Sequence, residues 1–373
     1  MKNLSLLLLI AVFAACTSTQ KKEMEMPYSK ADFESLIDGK TTRLFTMENE
    51  NGMIVTLTNY GAKIVSIYTP DNKGNLADVM LGFKSIGEYQ EYGASHGAVV
   101  GPFANRIGNA SFTIDGETYN FEVNNGKACL HSGSDSWYRK VWDYQKDGNV
   151  TSFSLQSSDG EFGFPGNKTV KATYTLTDDN ELKIDYEITT DKACHFNITN
   201  HSYFNLRGEG NGDILDHVLV INADKTTPVT EDMVPTGEIE DVRGTDLDFT
   251  TPHVIGDRID SDNQFLVYGV GYDFNYIINK NEGELAFCAS AYEPESGRYM
   301  EVFTTEPGVQ LYTGNHLKGT EIGKAGKPYT KRTGFCLETQ HYPDSPNKPN
   351  FPTTLLKPGE TLKSTTIYKF SAK

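Results

Sequence analysis

The chain has 373 residues, 38% of them hydrophobic, with 20 Tyr, 20 Phe and 34 Gly, an ordinary globular composition with enough apolar material for one large core. Its formal net charge is −16, from 34 basic against 50 acidic residues, which sets it against phosphate backbones and anionic lipid surfaces and leaves a neutral or cationic partner. The acidic residues are scattered, so most belong to a solvated surface.

The N-terminus, MKNLSLLLLIAVFAAC, has one positive charge at Lys2 and a short apolar stretch from Leu4 to Ala15, too short to span a bilayer. Residues 1–15 read as a signal peptide. The ending FAAC resembles a bacterial lipobox, in which cleavage leaves Cys16 as a lipidated first residue. The expectation is a protein of the bacterial cell envelope, facing the periplasm or the cell surface, attached by acyl chains alone because no polybasic patch follows. Residues 16–32 are polar and aperiodic, a tether before one folded domain over 33–373.

From there, runs rich in Val, Ile, Thr, Tyr and Phe recur between turn residues: MIVTLTNYGAKIVSIYT, SFTIDGETYNFEV, TSFSLQSS, VKATYTL, LKIDYEITT, HVLVINAD, ELAFCASAY, YMEVFTT, GVQLYTG and STTIYKFSAK. Asp-Gly inside SFTIDGETYNF predicts a tight hairpin. Only KADFESL and SIGEYQEYG suggest helices, both brief. Strands do not alternate with helices and no propeller-length repeat is present, so the pattern predicts an all-β fold, a large antiparallel β-sandwich in one domain. The cysteines Cys129, Cys194, Cys288 and Cys336 are widely spaced, without a CxxC pair or zinc spacing, and are expected to be free and buried.

Five places interrupt the β pattern with polar groups. In VVGPFANRIG a turn through Asn105 leads to Arg106, and in ACLHSGSDSWY His131 precedes a loop of small residues. FNITNHSYFN scans as a half-exposed strand with Phe196, Ile198 and Phe204 on one side and His195, Asn197, Thr199, His201, Tyr203 and Asn205 on the other. GVGYDFNYII sets Asp273 among aromatics, and GFCLETQHYPDSPN embeds Glu338 in an apolar strand, where desolvation would raise its pKa toward that of a general base. Two imidazoles, one desolvated carboxylate and a set of hydroxyl-binding groups suit a neutral polyol with a labile proton. There is no nucleophile elbow, phosphate-cradling loop or dinucleotide fingerprint, and neither cofactor nor metal is called for.

NRIG, LHSG, NHSYFNL, GYDFNY and ETQHYPDSPN, in this order over nearly the whole chain from about residue 33, resemble the aldose 1-epimerase (galactose mutarotase) family. The resemblance implies a galactose mutarotase-like supersandwich with an open sugar-binding cleft. It implies a D-galactose or D-glucose substrate, a monomer or weak dimer, and site roles residue by residue. Arg106 and Asp273, with Asn105, would bind the sugar; His131 would assist at the ring oxygen; His201 would be the catalytic acid and Glu338 the base. Two departures stand out. Phe274 occupies a position where the family commonly has histidine, and LHSG replaces LHGG, so both are expected to alter which hydroxyls are read. The competing readings are a sugar-binding lipoprotein without turnover and a glycoside hydrolase using Asp273 and Glu338 as paired carboxylates.

Overall fold

The computed structural model describes residues 26–93 and 95–373, so the signal sequence and Cys16 lie outside the described residues. Within them the fold is almost entirely antiparallel β. The largest sheet has nine strands, ordered Asp143–Asp147, Val150–Ser157, Lys168–Leu176, Glu181–Thr190, Leu362–Ala372, Arg298–Thr304, Ala286–Tyr292, Val218–Ile221 and His253–Val254. Its middle strand is the last of the chain. Leu362–Ala372 pairs with Glu181–Thr190 on one side and Arg298–Thr304 on the other, so the C-terminus joins the two halves of the sheet.

Period-two burial explains why these runs become strands. In Lys168–Leu176 and Glu181–Thr190 every second side chain is buried and its neighbours are exposed or half-exposed, which gives one core face and one wet face. Over the buried face lie a four-stranded sheet, Leu44–Glu48, Ile54–Thr58, Lys63–Pro70 and Leu76–Asp78, and a five-stranded sheet, Glu240–Asp241, Lys225–Thr226, Asp273–Ile277, Gly308–Tyr312 and Cys336–Gln340. Cross-layer bonds tie them down: Tyr174 donates to the Ala62 carbonyl at 2.6 Å, and the Thr339 and Thr366 hydroxyls meet at 2.6 Å. One core cluster runs through all three sheets. The Asp-Gly hairpin forms between Ser111–Ile114 and Glu117–Asn120, with Asp115 and Gly116 both at positive φ, as a type I′ turn requires.

Some expectations are corrected. KADFESL yields only a three-residue 3-10 turn, Ala31–Phe33, whereas SIGEYQEYG does form a helix, Ile86–Tyr92, capped by Ser85. A second helix, Gln264–Gly269, is too short to carry a readable period. Ordered packing reaches back into the segment expected as tether, because Tyr28 is buried and donates to Ser66 at 2.7 Å. FNITNHSYFN is not one half-exposed strand: within it only Thr199–His201 forms a strand, a second short one, Cys194–His195, lies just before it, and every residue from Cys194 to Leu206 is buried. Its amides satisfy backbone instead. Asn197 donates to the carbonyls of Ala104 and His341, Asn200 to Gly97, and Asn205 to Gly212 and Thr333. A segment this buried would otherwise leave loop carbonyls orphaned. Cys129, Cys194, Cys288 and Cys336 are free and buried.

Candidate active site

Three strands of the five-stranded sheet, Asp273–Ile277, Gly308–Tyr312 and Cys336–Gln340, are buried on both faces, and alternation decides what each face carries. Thr339 and the Leu337 carbonyl meet the nine-stranded sheet through Thr366 and Tyr368, so Glu338 on the intervening position points the other way. Register then fixes its neighbours. Gln310 lies opposite both Glu338 and Asn275, and Tyr312 lies opposite both Cys336 and Asp273, so all six share Glu338's face. That polar face is one wall of a cavity of about 350 Å³ lined by Asp273, Tyr312 and Glu338, a size suited to a small ligand.

The opposite wall comes from loops. Asn105 sits in the left-handed region at φ 62°, which turns the chain so that Arg106 starts a short strand, Arg106–Ile107, paired with Cys129–Leu130. His131 follows that partner strand. It is locked to Asn105 by two bonds: its backbone N–H donates to the Asn105 carbonyl at 3.1 Å, and its Nδ1 accepts the Asn105 N–H at 3.1 Å. An Nδ1 that accepts must hold its lone pair, so the ring proton of neutral His131 sits on Nε2. Arg106 is buried, facing Asp273 at 3.4 Å, with Nε donating to the Asn125 side-chain oxygen at 2.9 Å. The second oxygen of Asp273 accepts from Gln310 at 2.7 Å.

His201 ends the Thr199–His201 strand, paired to Ala98–Val100, and stands at the junction of the walls. Its ring stacks on Tyr203 at 5.0 Å and meets the His131 ring edge-on at 5.2 Å. Nδ1 lies 3.5 Å from the Cys336 sulfur, and Nε2 lies 3.7 Å from Oε1 of Glu338. Among the described residues the other carboxyl oxygen, Oε2, has no hydrogen-bond partner.

Burial dominates the electrostatics. Desolvation, then the nearby Asp273 charge, push the Glu338 carboxyl well above its usual range, only partly opposed by Arg106. Desolvation pulls His201 down to about 4, and desolvation together with His201 and Arg106 lowers His131 well below the ordinary imidazole value. Both shifts run toward the uncharged forms, because each group loses hydration when charged.

All six residues singled out for the sugar site, Asn105, Arg106, His131, His201, Asp273 and Glu338, line this one cavity. The same cannot be said of the two departures. Phe274 faces the core, packed against Phe265, because it alternates with Asp273. Ser132 is buried with its hydroxyl tied to the backbone of Phe103 at 2.8 and 3.0 Å. Neither is placed to read a hydroxyl. Ser95, Asn125, Tyr203, Tyr312 and His316 also line the cavity and were not assigned there. Tyr312 was legible in principle, since strict alternation from Gln310 predicts its face, but Ser95 and Asn125 reach the site through loops.

Oxygen and nitrogen atoms of His131, His201 and Glu338 lie within 4.8 Å of one another, the spacing of a metal site. The ring of His131 does not fit one, because its Nδ1 is occupied by Asn105 and its Nε2 carries the proton. A larger cavity, about 720 Å³, lies elsewhere, over the His341–Glu306 pair, and none of the six residues reaches it.

A buried carboxyl and a buried imidazole 3.7 Å apart, in a cleft edged by polar side chains on a large antiparallel sandwich, are the arrangement of a general acid/base enzyme for a small neutral ligand. Comparison with known proteins narrows the class. The aldose 1-epimerase family profile matches residues 43–369. The chain is 41% identical over 331 residues to a galactose mutarotase of Sus scrofa, covering 89% of this chain and 94% of that one. It is 38% identical over 341 residues to an aldose 1-epimerase of Escherichia coli, covering 90% and 97%. Its fold superposes on an aldose epimerase homologue from C. elegans with TM-score 0.82 at 29% identity, covering 89% of this chain and 99% of that one. A galactose 1-epimerase from Lactobacillus acidophilus gives 0.79 at 29%, covering 91% and 97%. The chain belongs to the aldose 1-epimerase family.

Proposed function

We propose that this protein interconverts the α and β anomers of an aldohexose, D-galactose or D-glucose, by acid/base-catalysed opening and closing of the pyranose ring. The observation that carries the assignment of roles is the 3.7 Å approach of His201 Nε2 to Glu338 Oε1 at the floor of the cleft. Opening removes the proton of the C1 hydroxyl to Glu338, the C1–O5 bond breaks as the carbonyl forms, and O5 takes a proton from His201. Half a turn about C1–C2 presents the other carbonyl face, and the same two transfers run backwards to close the ring.

Opening begins from the carboxylate and imidazolium, whereas burial of both groups favours the uncharged arrangement. A sugar hydroxyl donating to Glu338, together with the positive charge of Arg106, favours the carboxylate. The uncharged arrangement is also the one reached when the open-chain aldehyde forms, so the pair returns to it within each cycle. His131 presents an Nε2–H donor suited to an acceptor such as the ring oxygen. Arg106, Asn105 and Asp273 hold hydroxyls away from C1. Asp273 is engaged by Arg106 and Gln310, which does not suit a second free carboxylate for glycoside hydrolysis.

Polarimetry of freshly dissolved α-D-galactose and α-D-glucose tests this reading. Glu338→Gln and His201→Asn are each expected to abolish most catalysed exchange with the fold intact. Wild-type rates in either variant overturn the roles, and sugar binding without exchange in the parent protein identifies a non-catalytic binder. Lipid attachment at Cys16 belongs to the same reading, supported by the apolar stretch Leu4 to Ala15 and the small-residue ending before Cys16. Cys16→Ser is expected to move the protein from the membrane fraction to the soluble one.

A further inference from the structure

The turn before His131 reads VNNGKACLH, and its two asparagines do different work. Asn124 holds the strand that leads to His131: it accepts the Leu130 N–H at 2.7 Å and donates to the Leu130 carbonyl at 3.0 Å. Asn125 lies where the turn closes, its backbone paired with Ala128, and its side chain lines the sugar cavity. Arg106 Nε donates to its Oδ1 at 2.9 Å. Guanidinium nitrogens only donate, so this contact fixes which way the amide faces: oxygen toward Arg106, NH₂ away from it. Among the described residues the Nδ2 group has no protein partner, and the residue is half-exposed at the cleft.

We propose that Asn125 is a specificity-determining residue: its Nδ2 donates to a sugar hydroxyl away from the anomeric carbon, while its Oδ1 orients Arg106. The location follows from the geometry. The anomeric centre belongs to His201 and Glu338, and Asn125 reaches the cavity from the Arg106 side, where Nη2 faces Asp273 at 3.4 Å. The neighbouring acceptors there are already engaged. Asn105 Oδ1 accepts the Arg106 backbone N–H at 2.8 Å, and Asp273 accepts from Gln310 and faces Arg106. A donor with no protein partner beside these engaged acceptors discriminates sugars, because a site left with an unmade bond penalises the analogue that cannot make it.

This inference rests on the sugar-cleft reading, and its test is arranged to fail separately. Mutarotation kinetics of the wild type and Asn125→Ala are measured on galactose and on its 2-, 3-, 4- and 6-deoxy derivatives, with galactose affinity by titration calorimetry in parallel. The expected result is a KM or Kd raised roughly 3- to 10-fold for galactose with kcat within about twofold, and a penalty that is clearly smaller for one deoxy sugar only, the remainder being the loss of the Arg106 contact common to all. Asn125→Asp keeps an acceptor for Arg106 but removes the donor, and it is expected to bind most weakly the deoxyfluoro sugar altered at that same position. An equal penalty across all the deoxy sugars, or none for galactose, overturns the inference. A wild type that binds galactose but does not turn it over removes the proposed reaction while leaving the calorimetric comparison to decide the role of Asn125.

Discussion

His201 Nε2 and Glu338 Oε1 approach to 3.7 Å although burial disfavours the charged form of each. Glu338 sits on a strand whose other face is packed core, and His201 sits on a buried strand edge, so hydration of both is lost when the chain folds. The site is therefore built at the expense of stability.

That expense is measurable. The folded-state pKa of Glu338 is raised above its unfolded value near 4.5, so above that pH the unfolded carboxyl is ionised while the folded one must hold its proton or bury a charge. Glu338→Gln is expected to raise Tm at pH 7 and above, with the advantage over the parent growing by up to about 1.4 kcal/mol per pH unit from pH ~4.5 until the folded pKa is reached, and absent below pH ~4.5. In the same variant the catalysed rate falls by ~10²-fold or more. Thermal denaturation across pH, paired with polarimetry, checks both; a lower Tm in the variant at pH 8 would contradict the buried-carboxyl account.

The pH dependence of kcat/KM follows from the requirement that the pair carry one proton. As pH falls through about 4, His201 is protonated while Glu338 already is, and activity is lost. As pH rises through the raised pKa of Glu338, the proton leaves and activity falls again. A broad plateau spanning neutral pH is the expected profile. A single acid limb centred near the ordinary histidine value would show that burial does not govern these groups.

The tautomer of His131 makes a separate prediction. With Nδ1 receiving the Asn105 N–H, Nε2 supplies a donor and no lone pair for a metal. Exhaustive chelation is expected to leave mutarotation unchanged, while His131→Phe lowers kcat by ~10- to 100-fold with a smaller change in KM. Full activity in His131→Phe would mean that no donor is needed at that position.

Gly97 ties the acid's strand to the sheet beside it. It adopts φ +70°, its N–H donates to the His201 carbonyl at 2.8 Å, and its own carbonyl accepts from Ile64 and Asn200. An added Cβ would sit 2.0 Å from the Ile64 carbonyl oxygen, which cannot move without breaking the sheet. Gly97→Ala is expected to destabilise the protein by about 2 kcal/mol or more and to depress kcat in the fraction that folds. Chemical denaturation checks the first effect, and an unchanged midpoint would refute it.

The run LKIDYEITT carries its strand in its own alternation, and Asp115-Gly116 carries its hairpin, because these depend only on neighbours along the chain and on which face is wet. The motifs also contain six of the residues that line the cavity. What they did not contain was orientation. Phe274 and Asp273 are adjacent in sequence and point to opposite faces, so only the sheet register shows that one faces the cavity and the other the core. FNITNHSYFN misled for the complementary reason: in a segment buried on all sides, polar residues serve backbone groups from distant loops, and period two has no wet face to report. Local pattern thus determined the strands and the candidate chemistry. The protonation of Glu338 and His201, the tautomer of His131 and the place of Asn125 were decided only by packing, since burial and hydrogen bonding arise from groups 19 to 167 positions apart along the chain that meet only in three dimensions.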